Sequence, residues 1–343
     1  MEGNLRKLRT AVLLFFVGAV IFLLIYSRIQ AYSLAPTMQP LDLRGFVWWQ
    51  IPLIYIWDYV SHAWICLLFA FTAAGLFSEF LPKHVVTRYL SSGRPIAYLV
   101  AASIAPLFTA CSCVMIPLFA GVMYAGGGVG PAITFLLMAP SANILSIMVT
   151  GEMLSWELAL VRVIASFISA ITIGVLVAKT PWAKKFEEEF KKEGPNAPTV
   201  EVEYPPLDER LLSALKFGGF LAKRIVPVFI IGLVAVSYFE AYFPEEIVVT
   251  YFTGVLGVIV ASVIGGPLYT PTLIEIVLGR SLVKLGMSSG ATLAWLMGQP
   301  YDIPNTLAAS RIVQWKVVIS YAVLALASSI IAGLIYGSLT GGL

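Results

Sequence analysis

Apolar runs separated by short charged clusters dominate the chain, with one polar interruption near its middle. Crossing ~30 Å of hydrocarbon takes roughly 20 helical residues, and runs of that order recur along the length. They lack the regular polar faces that a soluble core of this size would require. The pattern predicts a multi-spanning, all-α integral membrane protein. The first run, Ala11 to Tyr26, follows Arg6, Lys7 and Arg9 as a signal peptide would, but Arg28 and Gln30 come next, and no convincing small-x-small cleavage site follows it. It is expected to be a retained leading helix (residues 1–30) with its basic end in the cytoplasm of a cell bounded by this membrane.

Between Lys179 and Lys216 the apolar pattern stops at KKFEEEFKKEG and PNAPTVEVEYPPLDER. This stretch, 179–212, is expected to be a solvated cytoplasmic loop carrying a short amphipathic helix. The segments on either side match each other. SEFLPKHVVTRYL aligns with EAYFPEEIVVTYF, pairing Pro82 with Pro244 and Tyr89 with Tyr251, and PLFT from Pro106 aligns with PLYT from Pro267. GPAITFLLMAP from Gly130 aligns with GATLAWLMGQP from Gly290, so Pro140 meets Pro300; Trp156 and Gly174 then meet Trp315 and Gly333. The offset drifts only from 162 to 159. Shared greasiness would reproduce leucines and valines, not prolines, glycines and tryptophans in order, so an internal repeat is expected over 55–178 and 213–338.

Basic residues cluster before the first helix, at Lys83, Arg88 and Arg94, across 179–216, and at Arg311 and Lys316, and the positive-inside rule puts all of these in the cytoplasm. Two ordinary crossings within 95–150 would place the lysine-rich loop outside. A re-entrant or broken-helix hairpin over 95–125, two half-helices of about 13 residues broken at Pro106–Pro117, removes the conflict. Each repeat then holds three spans and one hairpin, and an odd span count inverts the second copy relative to the first. Arg280 and Lys284 fall outside in that scheme. An eight- or nine-span count, with the hairpins as true crossings, stays open.

Inverted repeats with broken helices bind substrate near the midplane and open to either side in turn. The hairpin tips, TACSCVMIP from Thr109 and YTPTLIE from Tyr269, are therefore the first candidates. Cys111 and Cys113, flanking Ser112 and preceding Pro117, offer two soft thiolates suited to a soft metal or a trivalent metalloid, and a half-helix N-terminus favours the thiolate. The second tip brings Thr270, Thr272 and Glu275, the last an ionisable group at membrane depth and a candidate for a coupling proton. A second constellation follows the paired glycines: Pro140 and Asn143 in APSAN, then Gln299, Pro300, Asp302 and Asn305 in GQPYDIPN. Prolines that break a span free carbonyls, and neighbouring amides and carboxylates then line a polar site. Capping at the membrane boundary is the alternative for Asp302. Arg162 is expected to snorkel or to pair with Glu157, and the tryptophans at 48, 49, 57, 156 and 315 to mark the interfaces.

Of 343 residues 59% are hydrophobic and 12% charged, and the net charge of +3 carries no nucleic-acid footprint. Three cysteines (Cys66, Cys111, Cys113) make no disulfide framework, and His62 and His84 have no zinc spacing. No phosphate loop of the GxxxxGK[ST] type exists, so transport without ATP hydrolysis is expected, with no cofactor. The partners expected are a small solute or ion and the lipid bilayer; further copies of the chain remain open.

The stretch PLFTACSCVMIPLFAGVMYAGGGVGPAITFLLMAPSAN resembles the predicted permease family that includes the ArsP-type organoarsenical efflux permeases. The resemblance rests on the Cys-x-Cys, the following Pro-Leu, the Gly-rich turn and the Phe-Leu…Pro…Asn segment. It implies transport rather than catalysis, with Cys111 and Cys113 as the family's cysteine pair and Pro140 and Asn143 as its later motif. The alternatives are a membrane thiol-disulfide oxidoreductase using Cys111 and Cys113, or a channel.

Overall fold

The computed structural model describes residues 2–34, 43, 45–80, 90–107, 112–193, 206–242, 251–268 and 272–342. Among these residues the chain is helical, with no strand. In order, α1 spans Glu2–Leu34, α2 Gln50–Phe80, α3 Pro95–Ile104, α4 Ser112–Tyr124, α5 Val129–Ser141, α6 Ile144–Met153 and α7 Trp156–Lys179. Then follow α8 Pro181–Glu193, α9 Leu207–Tyr242, α10 Gly254–Gly265, α11 Thr272–Lys284, α12 Ser289–Leu296, α13 Ile303–Ala309 and α14 Trp315–Thr340. Among the described residues five stretches, 8–27, 129–153, 156–179, 207–238 and 315–340, are long and apolar enough to cross a bilayer. Phe15 and Phe22 on α1, Leu160 and Ile168 on α7, Ile231 on α9 and Val323 and Ile331 on α14 all point outward, as lipid-facing side chains do. The same outward exposure holds for Trp48, Trp49, Trp57, Trp156 and Trp315.

Two long helix pairs form the frame, each antiparallel. The end of α2 meets the start of α9, where Arg210 bonds the Glu79 carbonyl at 3.0 Å and lies 3.6 Å from its carboxylate. Small residues bring their backbones together: a Cβ on Gly75 would sit 2.0 Å from the Ala214 carbonyl oxygen, and one on Gly218 2.4 Å from that of Phe71. In the second pair, Tyr336 late in α14 donates to Glu157 early in α7 at 3.3 Å, Ser328 bonds Ser169 at mid-helix, and Trp182 just past α7 donates to Ser320 near the start of α14 at 3.0 Å.

Two half-length pairs are built alike. A 3₁₀ turn, 105–107, ends α3, and α4 returns to a left-handed Gly126 (φ 94°). There Gly127 donates to Val122 and Gly128 to the Leu90 carbonyl at 2.7 Å. Residues 91–127 therefore leave from and return to one place. The second pair, α10 and α11, closes in the same way: Gly286 (φ 105°) is left-handed, Met287 donates to Leu282, and Ser288 to the Phe252 carbonyl at 3.1 Å. Only glycine takes such a backbone without strain. Pro117, expected to break the first hairpin, instead lies inside α4. It sits in the second helical turn, and its one missing hydrogen bond is that to the Cys113 carbonyl.

The centre is filled by two interrupted helices. Every residue of α5 is buried. It stops at Ser141, and Asn143 starts α6 by accepting from the Ser146 amide at 2.8 Å. In the second half, α12 gives way to a 3₁₀ turn, 299–301, and Asp302 starts α13 by accepting from the Asn305 amide at 2.7 Å. Each interrupted helix crosses a long one at a glycine pair. A Cβ on Gly174 would lie 2.0 Å from the Thr134 hydroxyl, and one on Gly333 2.7 Å from the Gly290 carbonyl. Amphipathic α8 lies against the mouth of the first hairpin, where one Glu187 carboxylate oxygen accepts from the Ser92 hydroxyl at 2.7 Å and from the Val129 amide at 3.2 Å.

Candidate functional site

The interruption between α5 and α6 leaves the carbonyls of the last turn of α5 without helical partners. Arg162 of α7 takes one of them, its Nε donating to the Ser141 carbonyl at 2.7 Å. Its Nη1 donates to Thr150 Oγ1 at 3.1 Å and its Nη2 to Glu275 Oε2 at 3.3 Å. A cation at a helix C-terminus and a carboxylate in the first turn of α11 both suit the helix dipoles. Arg162 and Glu275 are 0% and 1% exposed, so the pair is fully withdrawn from solvent. Burying two charges costs several kcal/mol each, which only close pairing and further hydrogen bonds offset. Thr150 continues the network by donating to the Ser146 carbonyl, and Ser146 to that of Asn143.

The second interruption has different chemistry. Asp302, 1% exposed, accepts from both the backbone and the side-chain amide of Asn305. Tyr321 of α14 lies within electrostatic reach of it, with a buried hydroxyl that has no hydrogen-bond partner. Tyr301 turns its hydroxyl away, to the Ser262 carbonyl and to Ser329. The Ile303 amide donates to the Pro267 carbonyl at 3.1 Å, tying this interruption to the end of α10. A cavity of about 20 Å³, room for a water, joins the two interruptions between α7 and α14. Ser141, Ser166, Ser169, Pro300 and Ser328 line it, and the buried Ser166 hydroxyl has no partner.

Of the residues singled out in the sequence, Asn143 and Glu275 join the Arg162 network, whereas Gln299, Pro300, Asp302 and Asn305 form the second cluster. Pro140 is buried in α5, two residues before its end, and Pro117 is in α4. Cys111 and Thr270 lie outside the described residues, as do Pro82, Tyr89 and Pro244 of the repeat alignment. Ser112 and Cys113 open α4 and Thr272 opens α11, with side chains outside the described set. Their helices are well placed: α4 packs on α2, α5, α9 and α13, and α11 on α6 and α12.

Arg162 is the main residue that sequence reasoning assigned otherwise. It neither snorkels nor pairs with Glu157, which takes the Tyr336 hydroxyl instead. The available signal was a lone cation inside an apolar span, which by default faces the bundle interior. Ser141, Thr150, Ser166, Ser169, Ser328 and Tyr321 carried no signal beyond being polar among apolar neighbours.

Residues 53–338 match the sequence model of a family described as predicted permease, ArsP_1. UPF0718 protein MJ0584 of Methanocaldococcus jannaschii is 26% identical over 345 residues, covering 82% of this chain and 93% of that protein. UPF0718 protein YraQ of Escherichia coli is 22% identical over 298 residues, covering 83% and 81%. No solved structure matches the chain. With five apolar helices of spanning length and a family match over most of its residues, the chain is a multi-pass membrane protein that belongs to the predicted permease family.

Proposed function

We propose that this permease is a secondary transporter that moves a small solute across the cytoplasmic membrane by alternating access between two inverted repeats, 55–178 and 213–338. The observation that carries the proposal is the meeting of two interrupted helices at the centre of the bundle, where non-helical backbone is tolerated only if it lines protein or a watery path. Repeat-equivalent helices run antiparallel, α2 against α9 and α7 against α14, as a twofold axis in the membrane plane requires. The bonds Gly128–Leu90 and Ser288–Phe252 support hairpins that re-enter on one side each. The N-terminus and the 179–212 loop are then cytoplasmic, in keeping with their basic residues.

For the cargo, Cys111 and Cys113 favour a soft, thiol-reactive solute such as a trivalent organoarsenical, moved outward as efflux. The site is unequal: sulfur comes from the first tip, and the Glu275 carboxylate with the Thr270 and Thr272 hydroxyls from the second. Expression in a host without its own arsenical exporters tests this. Resistance to trivalent methylarsenical is expected, lost in Cys111→Ser and Cys113→Ser at equal membrane abundance. Unchanged sensitivity with the wild-type protein present in the membrane removes this cargo.

A further inference from the structure

We propose that Asp302 is the proton-binding group of this permease and that it binds a single proton at the second interruption; the inference rests on the secondary-transport reading. Two buried carboxylates lie at the centre, and their surroundings differ. Glu275 faces the Arg162 guanidinium at 3.3 Å, so its charge is balanced where it stands. Among the described residues, Asp302 receives only the two Asn305 donors, at 2.7 and 2.5 Å, and no cationic side chain pairs with it. A bare carboxylate in such a place is too costly to keep, and it either finds a counter-charge or takes up a proton.

Among the described residues, no neighbouring element supplies the counter-charge. The stretch 229–236 of α9, where Gly232 abuts Pro304, carries no ionisable residue, and neither do α10, α12, α5 or residues 115–123 of α4. From α14 comes Tyr321, a neutral hydroxyl, while Arg311 before that helix and Lys316 in its first turn are exposed. Tyr301 is engaged with Ser262 and Ser329. A metal ion would want several more ligands, and the described residues hold no group of three His, Cys, Asp or Glu side chains. A proton needs one lone pair and an acceptor for the resulting O–H. Asn305 Oδ1, buried and without a donor, is that acceptor once the amide turns over.

The first half provides a built-in comparison. Asn143 stands 159 positions before Asp302 and makes the same cap, to Ser146, with a neutral amide. The capping function therefore needs no charge, and of the two capping residues only Asp302 can titrate. Charge-assisted caps are stronger than neutral ones, so proton uptake loosens the start of α13, whose Ile303 amide is tied to Pro267 at the end of α10.

Infrared difference spectroscopy on the purified full chain in lipid tests the assignment without any solute. A protonated-carboxyl C=O band is expected at neutral pH, bleaching as pH rises, absent in Asp302→Asn and retained in the Arg162→Met/Glu275→Met double variant. Asp302→Asn is expected to fold, because Asn143 already performs the same cap. A wild-type chain with no such band at any pH, a band unchanged in Asp302→Asn, or one abolished in the Arg162→Met/Glu275→Met double variant would each overturn the proposal. Absence of solute transport by the wild-type chain, with the spectra as expected, would instead count against the transport reading.

Discussion

Ser169 on α7 hydrogen-bonds Ser328 on α14, and the two residues stand 159 positions apart, the offset at which the two halves align in sequence. Under the proposed inverted repeat, such a contact falls on the axis that relates the two copies. Because Glu157 meets Tyr336 at one end and Trp182 meets Ser320 at the other, α7 and α14 cross head to tail about that point. The small cavity lies at the same crossing. In that alignment the two halves differ in charge: Arg162 falls opposite Tyr321, Asn143 opposite Asp302, and Glu275 opposite Met115.

The Arg162–Glu275 pair spans the two halves, and each partner alone is expected to be a liability. Arg162→Met or Glu275→Met leaves one uncompensated buried charge and should cost about 3–5 kcal/mol. The double variant should recover most of that loss. Denaturant unfolding in detergent, run as a double-mutant cycle, reads the coupling; additive losses would show that the two groups do not interact.

The glycine crossings are expected to be intolerant of a methyl group. Gly174→Ala drives Cβ against Thr134 and the Gly130 carbonyl, and Gly333→Ala drives it against the Gly290 carbonyl. Each should cost about 1–3 kcal/mol, as overpacking does. Gly219→Ala on α9, with open space around it, should be neutral or gain up to about 1 kcal/mol from helix propensity. Thermal unfolding of the three variants checks the contrast, and equal midpoints would refute the packing.

Glu187 of α8 caps the buried helix α5 at Val129 and also holds Ser92. Glu187→Ala should cost about 1 kcal/mol and leave the first turn of α5 less protected. Hydrogen exchange at the amides of 129–132 measures this directly. Unaltered protection there would mean that the contact does not hold the helix end.

Much of this was legible in residue order. Prolines, glycines and tryptophans repeat at a near-constant offset because each does a backbone or interface job that few residues can do. Both interruptions fall just past Pro140 and at Pro300, close to where the sequence pointed. Pro117 misled, because a proline in the second turn removes only one bond and the helix continues around it. The Arg162–Glu275 contact was not legible: its partners are 113 positions apart, on different halves, and only the folded crossing brings them together. Glu157, five positions before Arg162, was the local partner the sequence offered and points elsewhere.

Cysteine accessibility from each side of oriented vesicles tests the inverted architecture most directly, in a chain with Cys66, Cys111 and Cys113 replaced by serine. Single cysteines at Arg94 and Tyr124 mark the mouth of the first hairpin, and those at Tyr251 and Leu285 the mouth of the second. The first two should react from one face of the membrane and the last two from the other. Reaction of all four from one face, or of Arg94→Cys and Tyr124→Cys from opposite faces, would contradict two inverted repeats with re-entrant hairpins.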